Sequence, residues 1–346
     1  MTPPDVIDVH THVIPDLPDH AVRLADDRWP SFSVDGTVGR LSRDSSVVRT
    51  VGPAAWDMTA RIAEMDRAGV QRHVLSPIPP LICDWGSAEH AASWARHLNE
   101  SIAAIVAARP DRFSGLGTVS LHHPDAALDE LDRVQRNGLC GVEIGTDGGG
   151  REFDDPALLP FFAKAERLGL LLFVHPLILG AVTSFTDRIS GHELTFGLGM
   201  GTDTAIAAGR LAFGGVTRAC PRLRICLAHG GGTFFWALAR IARLWDRPDR
   251  PPADRTAALT ANIVVDSVVY DPRNVGYLVQ TLGPARVLFG TDFPLPAQDD
   301  LRGAVLRDLP DTERRLILGG NAARLLGLAG IGLAGIGLEG GSACTS

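Results

Sequence analysis

Short apolar runs alternate with longer stretches of helical periodicity along most of the chain. The runs fall at about residues 5–10, 70–76, 113–120, 138–145, 170–175, 223–229, 262–267 and 286–291. Each is bounded by Gly, Pro or Asp, the pattern of strands rather than of helices. Between them, residues 88–108 are rich in Ala, Glu, Arg and Leu, and residues 125–135 follow Pro124 with apolar positions at helical spacing. Both predict helices. Residues 156–168 predict a third, with Pro156 near its start and Gly169 just past its end. The strand runs do not strictly alternate with polar residues, as expected of a sheet buried on both faces, and strand-helix alternation makes that sheet parallel. Eight such units predict an α/β fold, a (β/α)8 TIM barrel, whose functional site lies at the C-terminal ends of the strands. A doubly wound sheet would need fewer strands and a Gly-rich first turn, and the chain has neither.

Two stretches break the rhythm. Residues 13–57 separate the first strand from the first helix, far more than the two to six residues usual for such a loop. They are expected to form a lid or small subdomain within a barrel domain spanning residues 1–327. Residues 328–346, with their GIGLAGIGL duplication and Gly/Ser end, read as a poorly ordered tail. The Gly-rich loop 176–205 is placed to cover the site.

Composition narrows the function without naming it. The 346 residues are 45% hydrophobic, enough for a substantial core. The net charge of -7 is spread over isolated acids, and the arginines sit within helices, so nucleic acid is not an expected partner. No apolar stretch has transmembrane length and the N-terminus lacks signal-peptide character, so no membrane association is expected. Five scattered cysteines without CxxC spacing fit reduced thiols in the cytoplasm. A small soluble substrate is the expected partner.

Chemistry-bearing residues gather where the apolar runs end. His10 and His12 close the first run, His175 the fifth, His229 the sixth and Asp292 the eighth. In a parallel barrel all five lie at one edge. Histidines at i and i+2 on a strand face the same side, so His10 and His12 can bind one ion without backbone distortion. Imidazoles with one carboxylate suit zinc, and a coordination position left for water makes such a site catalytic rather than structural.

These residues resemble those of the metal-dependent amidohydrolase superfamily, and within it the aminocarboxymuconate-semialdehyde decarboxylase-like branch. The similarity runs from about residue 5 to residue 327. It includes Arg49 with Trp56-Asp57, Arg61 to Asp66, Trp94 to Asn99, His229 to Gly232, Val265-Asp266-Ser267 and Gly320-Asn321-Ala322. The resemblance implies that His10, His12, His175 and Asp292 hold one Zn2+ per chain, that Asp292 and His229 are catalytic, and that His229 is the acid-base residue. It implies that Arg49 and Arg240 hold substrate carboxylates, and Trp56 and Trp85 are expected to wall the pocket. Arg240 lies eleven residues beyond His229, in the following helix, badly placed for its own site. The resemblance lends it to a neighbouring subunit, so a homodimer is expected.

The implied activity is oxygen-independent, non-oxidative loss of carbon dioxide from an unsaturated or aromatic carboxylic acid, a carboxy-lyase reaction. The alternative is a hydrolase or hydratase of a cyclic amide, lactone or enol acid. Glu143, in the fourth run, bears on the choice: with His229 it would complete a two-metal hydrolase site, whereas an interior Glu held by hydrogen bonds, for example to an arginine, leaves one metal. Asp266-Ser267 is expected to orient His229 or a ligand from behind.

Overall fold

The computed structural model describes residues 5–17, 28–83, 85–177, 189, 191–245, 256–295, 300 and 303–328. Residues 329–346, expected to be a tail, lie outside the described residues, as does most of 178–190 in the expected covering loop.

Eight parallel strands form one sheet in the order β1 (Ile7–Val13), β5 (Arg72–Pro77), β6 (Phe113–Thr118), β7 (Gly141–Ile144), β8 (Leu171–Val174), β9 (Arg224–Leu227), β10 (Ile263–Asp266) and β11 (Val287–Leu288). Val9 N donates to Phe289 O at 2.9 Å, Asp292 N to His10 O at 2.9 Å and His12 N to Phe293 O at 2.7 Å. These bonds join the last strand segment back to the first and close a (β/α)8 barrel. Ile7, Val9, Val74, Leu116, Leu171, Phe173, Cys226 and Leu288 fill the barrel interior as one buried cluster. The opposite strand faces, with Val142, Ile144, Leu172, Val174, Ile225, Leu227 and Val265, pack on the surrounding helices. Burial on both faces is why these strands read as unbroken apolar runs.

Helix punctuation follows local chemistry. Asp57 accepts from Thr59 N and Ala60 N to start Met58–Ala68, and Gly69 at φ 75° ends it. Ser87 caps Ala88–Ala108, and Gly169 at φ 67° ends Leu159–Leu168.

The structure departs from the sequence reading at both barrel edges that meet. β1 continues through Thr11, His12 and Val13, because these residues pair with Leu75, Ser76 and Pro77 after a register shift. The polar His-Thr-His segment is therefore strand interior, not strand end. β11 is shorter than its apolar run, two residues by regular pairing.

The stretch after β1 holds a three-stranded antiparallel sheet, β2 (Ser31–Asp35), β3 (Val38–Arg43) and β4 (Ser46–Val51). Leu41, Val51 and Trp29 anchor it against Ile78, Leu81, Trp94 and Leu98. Its last strand carries Arg49 to the barrel mouth.

Candidate active site

Four donors converge at the C-terminal end of the barrel. His10 and His12 project from β1, His175 follows β8, and Asp292 follows β11; all are buried, and one ligand atom of each lies within 4.8 Å of the others. His10 Nε2 is 3.3 Å and His12 Nε2 3.1 Å from Asp292 Oδ1, and the two Nε2 atoms are 3.2 Å apart. Gly290 makes room for this: a Cβ there would stand 2.8 Å from the Cβ of His10. Asp292 has φ 66° and His229 φ 55°, left-handed conformations that cost a non-glycine residue on the order of 1 kcal/mol each.

The donor set fits a divalent cation. Among the described residues, neither nitrogen of His175 nor Asp292 Oδ1 has a hydrogen-bond partner, although all three atoms are buried. Lone pairs facing each other in a dry interior are costly without a cation between them. Donors about 2.1 Å from a tetrahedral ion stand about 3.4 Å apart, close to the 3.1–3.3 Å found here. Three imidazoles and a carboxylate serve zinc and manganese alike.

Behind the cluster, Asp266 at the end of β10 is the orienting carboxylate. Its Oδ2 is 2.6 Å from His10 Nδ1 and accepts from His229 N at 3.1 Å; its Oδ1 accepts from Gly230 N at 3.0 Å and Val268 N at 3.1 Å. Burial opposes its charge, but His10 beside it holds the carboxyl below its ordinary range. Burial likewise works against charge on His10, yet Asp266 and Asp292 overcome it and lift the imidazole to about 10. His175 is held well below the usual imidazole range by burial and by the neighbouring histidines, which keeps it neutral and able to donate a lone pair.

His229 stands beside the cluster rather than in it. Its ring centroid is 5.0 Å from that of His175 and 5.2 Å from that of His10, and among the described residues its Nδ1 has no hydrogen-bond partner. Burial and the nearby His10 lower its pKa, opposed by Asp266 and Asp292. Burial and His10 both favour its uncharged form. The three glycines after it allow close packing: a Cβ on Gly232, at φ 58°, would meet Gly201 O at 1.9 Å.

A cavity of about 1030 Å³ opens onto His175, His229 and Asp292. Arg49 and Thr50 line it from the small sheet, Glu193, Phe196 and Met200 from the segment before Met200–Phe213, and Thr233, Phe235 and Trp236 from beyond His229. Val269, Tyr270, Asn274 and Tyr277 complete the wall after β10, with Leu295 after Asp292. Arg49 lies 5.2 Å from the Phe196 ring centroid. Partial burial lowers its pKa, and the charge of Asp292 opposes that shift.

The expectations for Trp56, Trp85 and Glu143 need correction. Trp56 and Trp85 do not line the cavity. Trp56 packs edge-on to Phe32 at 5.3 Å, and Trp85 stacks on Trp29 at 4.7 Å with Arg28 over its ring at 4.4 Å, so both indoles stabilise the small sheet's attachment. Among the described residues, Glu143 has no arginine as its partner. Its charged neighbours are His12, His175, His10 and Asp292, and burial raises its pKa against the pull of His12. Arg240, as its position in the chain suggests, is exposed on the helix Phe234–Trp245 and does not line its own chain's cavity.

Sequence reading also missed the wall formed by Phe196, Tyr270, Asn274 and Tyr277. Tyr270 carries a signal, following the end of the seventh barrel strand. Arg61, which the sequence marks only as part of the family resemblance, is fully buried in Met58–Ala68; it donates to Ala54 O at 2.9 Å and to the backbone carbonyl of His12, and contacts His73 Nδ1 at 3.3 Å. Its guanidinium also covers the Phe293 ring at 5.0 Å. It ties the small sheet's connection to the strand that carries His12 and to the residue after Asp292. Among the described residues, no helix is long and apolar enough to cross a membrane.

Comparison with known proteins places these residues in a family context. Residues 7–328 match the amidohydrolase family. The chain is 32% identical to the 2-amino-3-carboxymuconate-6-semialdehyde decarboxylase of Dictyostelium discoideum, covering 93% of this chain and 91% of that protein. Among solved structures it is similar to 5-carboxyvanillate decarboxylase from Sphingomonas paucimobilis, with TM-score 0.75, 27% identity, and coverage of 93% of this chain and 98% of that one. It also shares the fold of a dihydroxybenzoic acid decarboxylase from Polaromonas sp., which was crystallised with manganese and an inhibitor (TM-score 0.75, 22% identity, 94% and 97% covered). The chain belongs to the metal-dependent amidohydrolase superfamily and, within it, to the aminocarboxymuconate-semialdehyde decarboxylase-like branch.

Proposed function

We propose that the protein is a metal-dependent, oxygen-independent decarboxylase of an unsaturated or aromatic carboxylic acid. The observation that supports this reading is that His229 and Arg49 line one cavity with His175 and Asp292 of the four-donor cluster. In this reading His10, His12, His175 and Asp292 hold one divalent ion, zinc in our assignment. When bound, such an ion supplies Lewis-acid polarisation of a substrate oxygen.

The chain's own residues do the rest. Arg49 offers a planar fork to the substrate carboxylate. Phe196, Met200, Phe235 and Leu278 exclude water from the substrate's flank, which strengthens every charge interaction inside. His229, neutral beforehand, takes up a proton and delivers it to the carbon that bears the carboxylate. The carbon-carboxylate bond then breaks, its electron pair restores the conjugated system, and carbon dioxide leaves. The net change is one proton gained at carbon and one carbon dioxide lost, with no oxidant.

Arg240 completes the assignment in a homodimer of the cytoplasm. It sits one helical turn beyond Trp236, a rim residue 80% exposed, on the same helix face. A cation presented there reaches outward, towards a neighbouring chain's cavity.

His229→Ala tests the division of roles. Expected is loss of turnover with metal content intact. Loss of metal together with activity would make His229 a ligand and overturn the assignment.

A further inference from the structure

Glu143 is a fully buried carboxylate that the proposed reaction does not use. It lies in β7, inside the barrel. Its Oε2 is 3.8 Å from His12 Nδ1 and its Oε1 is 3.6 Å from His175 Nδ1. Ser76 Oγ stands 3.2 Å from the same nitrogen of His12, and its hydroxyl eases the charge on Glu143, although among the described residues no contact at the carboxylate meets hydrogen-bond geometry. Both nitrogens of His175 are equally without partners.

The side on which Glu143 stands decides its role. His12 presents Nε2 to Asp292 Oδ1 at 3.1 Å, so its Nδ1 is the outer nitrogen, facing away from the cluster centre. Glu143 faces that outer nitrogen and Nδ1 of His175. It is not among the donors that lie within 4.8 Å of one another, and neither is His229. Neither residue joins that group, so nothing in the described geometry calls for a second, bridging ion.

An imidazole that gives Nε2 to a cation carries its proton on Nδ1, and a buried N–H needs an acceptor. His10 has one, Asp266 at 2.6 Å. His12 and His175 have Glu143 between them, and ring movements of about half an ångström bring these contacts into hydrogen-bond range.

We infer that Glu143 is a shared positioning residue: its carboxylate accepts from His175 Nδ1–H directly and from His12 Nδ1–H together with Ser76, fixing the metal-holding tautomer of two ligands at once. This rests on the assignment of the four-donor cluster above, but not on the reaction it performs.

The test uses the full-length chain, stripped of metal and titrated with Zn2+ and Mn2+ against a chelator, as wild type, Glu143→Gln and Ser76→Ala. A glutamine has one acceptor oxygen and cannot serve both rings. Expected for Glu143→Gln is an affinity about 10- to 100-fold weaker for each ion, with one ion per chain at saturation and KM close to wild type once loaded. Ser76→Ala, which touches only the His12 arm, is expected to lose less. Two ions per wild-type chain, falling to one in Glu143→Gln, would make Glu143 a ligand and overturn the inference. Unchanged affinity with a lower melting temperature of the metal-free variant would make it a plain core residue, and also overturn it. A wild type that binds one ion tightly yet releases no carbon dioxide from any acid would sink the decarboxylase reading while leaving this one intact.

Discussion

Replacing Asp266 with Asn removes the charge behind the cluster while keeping the side chain's shape. Asp266 accepts four contacts, two at each oxygen: His10 Nδ1 and His229 N at Oδ2, Gly230 N and Val268 N at Oδ1. An asparagine that keeps its carbonyl at the Oδ1 position turns its NH2 group towards two donors. Each buried donor left unsatisfied costs about 1–3 kcal/mol, so the metal-free protein with both unsatisfied is expected to lose about 2–6 kcal/mol of unfolding free energy. His10 can relieve its share by losing the Nδ1 proton and keeping the one on Nε2, the nitrogen 3.3 Å from Asp292 Oδ1. That tautomer has no lone pair to offer inside the cluster. Metal affinity should therefore fall about 10- to 100-fold, or about 1.4–2.8 kcal/mol. Chelator competition measures the affinity, and urea unfolding of the stripped protein measures the stability. An Asp266→Asn protein that binds metal as tightly as wild type would refute this reasoning.

Three further outcomes are expected. Arg49→Ala should lower kcat/KM on the order of 100-fold, about 3 kcal/mol, with metal content unchanged, because it removes a charge-assisted fork from the cavity wall; an unaffected kcat/KM would place the carboxylate elsewhere. Asp203→Asn should stabilise the fold above pH 6 by about 1 kcal/mol, after solvent screening is set against the roughly 3 kcal/mol that a move from 3.8 to about 6 implies, read from urea unfolding across pH. Burial, with Asp147 and Glu152 nearby, raises the Asp203 carboxyl from 3.8 to about 6, so the folded chain holds a proton there that the unfolded chain has lost. Wild type accordingly loses stability as pH rises from about 4 to 6, and the advantage of the variant should vanish below pH 4. Mixing equal amounts of inactive Arg240→Ala and His229→Ala should restore about a quarter of wild-type activity, since half the dimers are mixed and each has one intact site; no recovery would argue against a shared site.

The barrel and its metal cluster were legible because parallel strands buried on both faces leave uninterrupted apolar runs, and such runs end where a barrel puts its chemistry. Asp266 was legible for the same reason. The continuation of β1 through Thr11, His12 and Val13 was not, since hydrogen bonds to β5 and to Phe293, not apolar side chains, hold that segment in the sheet. The small sheet left a fainter trace. Asp35-Gly36 and Asp44-Ser45 mark its turns, with φ 59° at Gly36 and 48° and 58° at Asp44 and Ser45, but its strands are only partly buried and their alternation is diluted. Trp56 and Trp85 could not be placed from sequence because the directions of their indoles depend on Phe32 and Trp29, residues distant in the chain. Arg61 was hidden differently: a charged residue in an amphipathic helix reads as surface, and only the packed structure reveals the carbonyls that receive it.

The most direct test of the central claim is product analysis with the metal-loaded protein and a panel of aromatic and unsaturated carboxylic acids, run in oxygen-18 water. Carbon dioxide released in proportion to acid consumed, without oxygen, abolished by chelation and restored by added metal, is the predicted result. Oxygen-18 incorporated into a product that has kept all its carbon would contradict it and make the protein a hydrolase or hydratase.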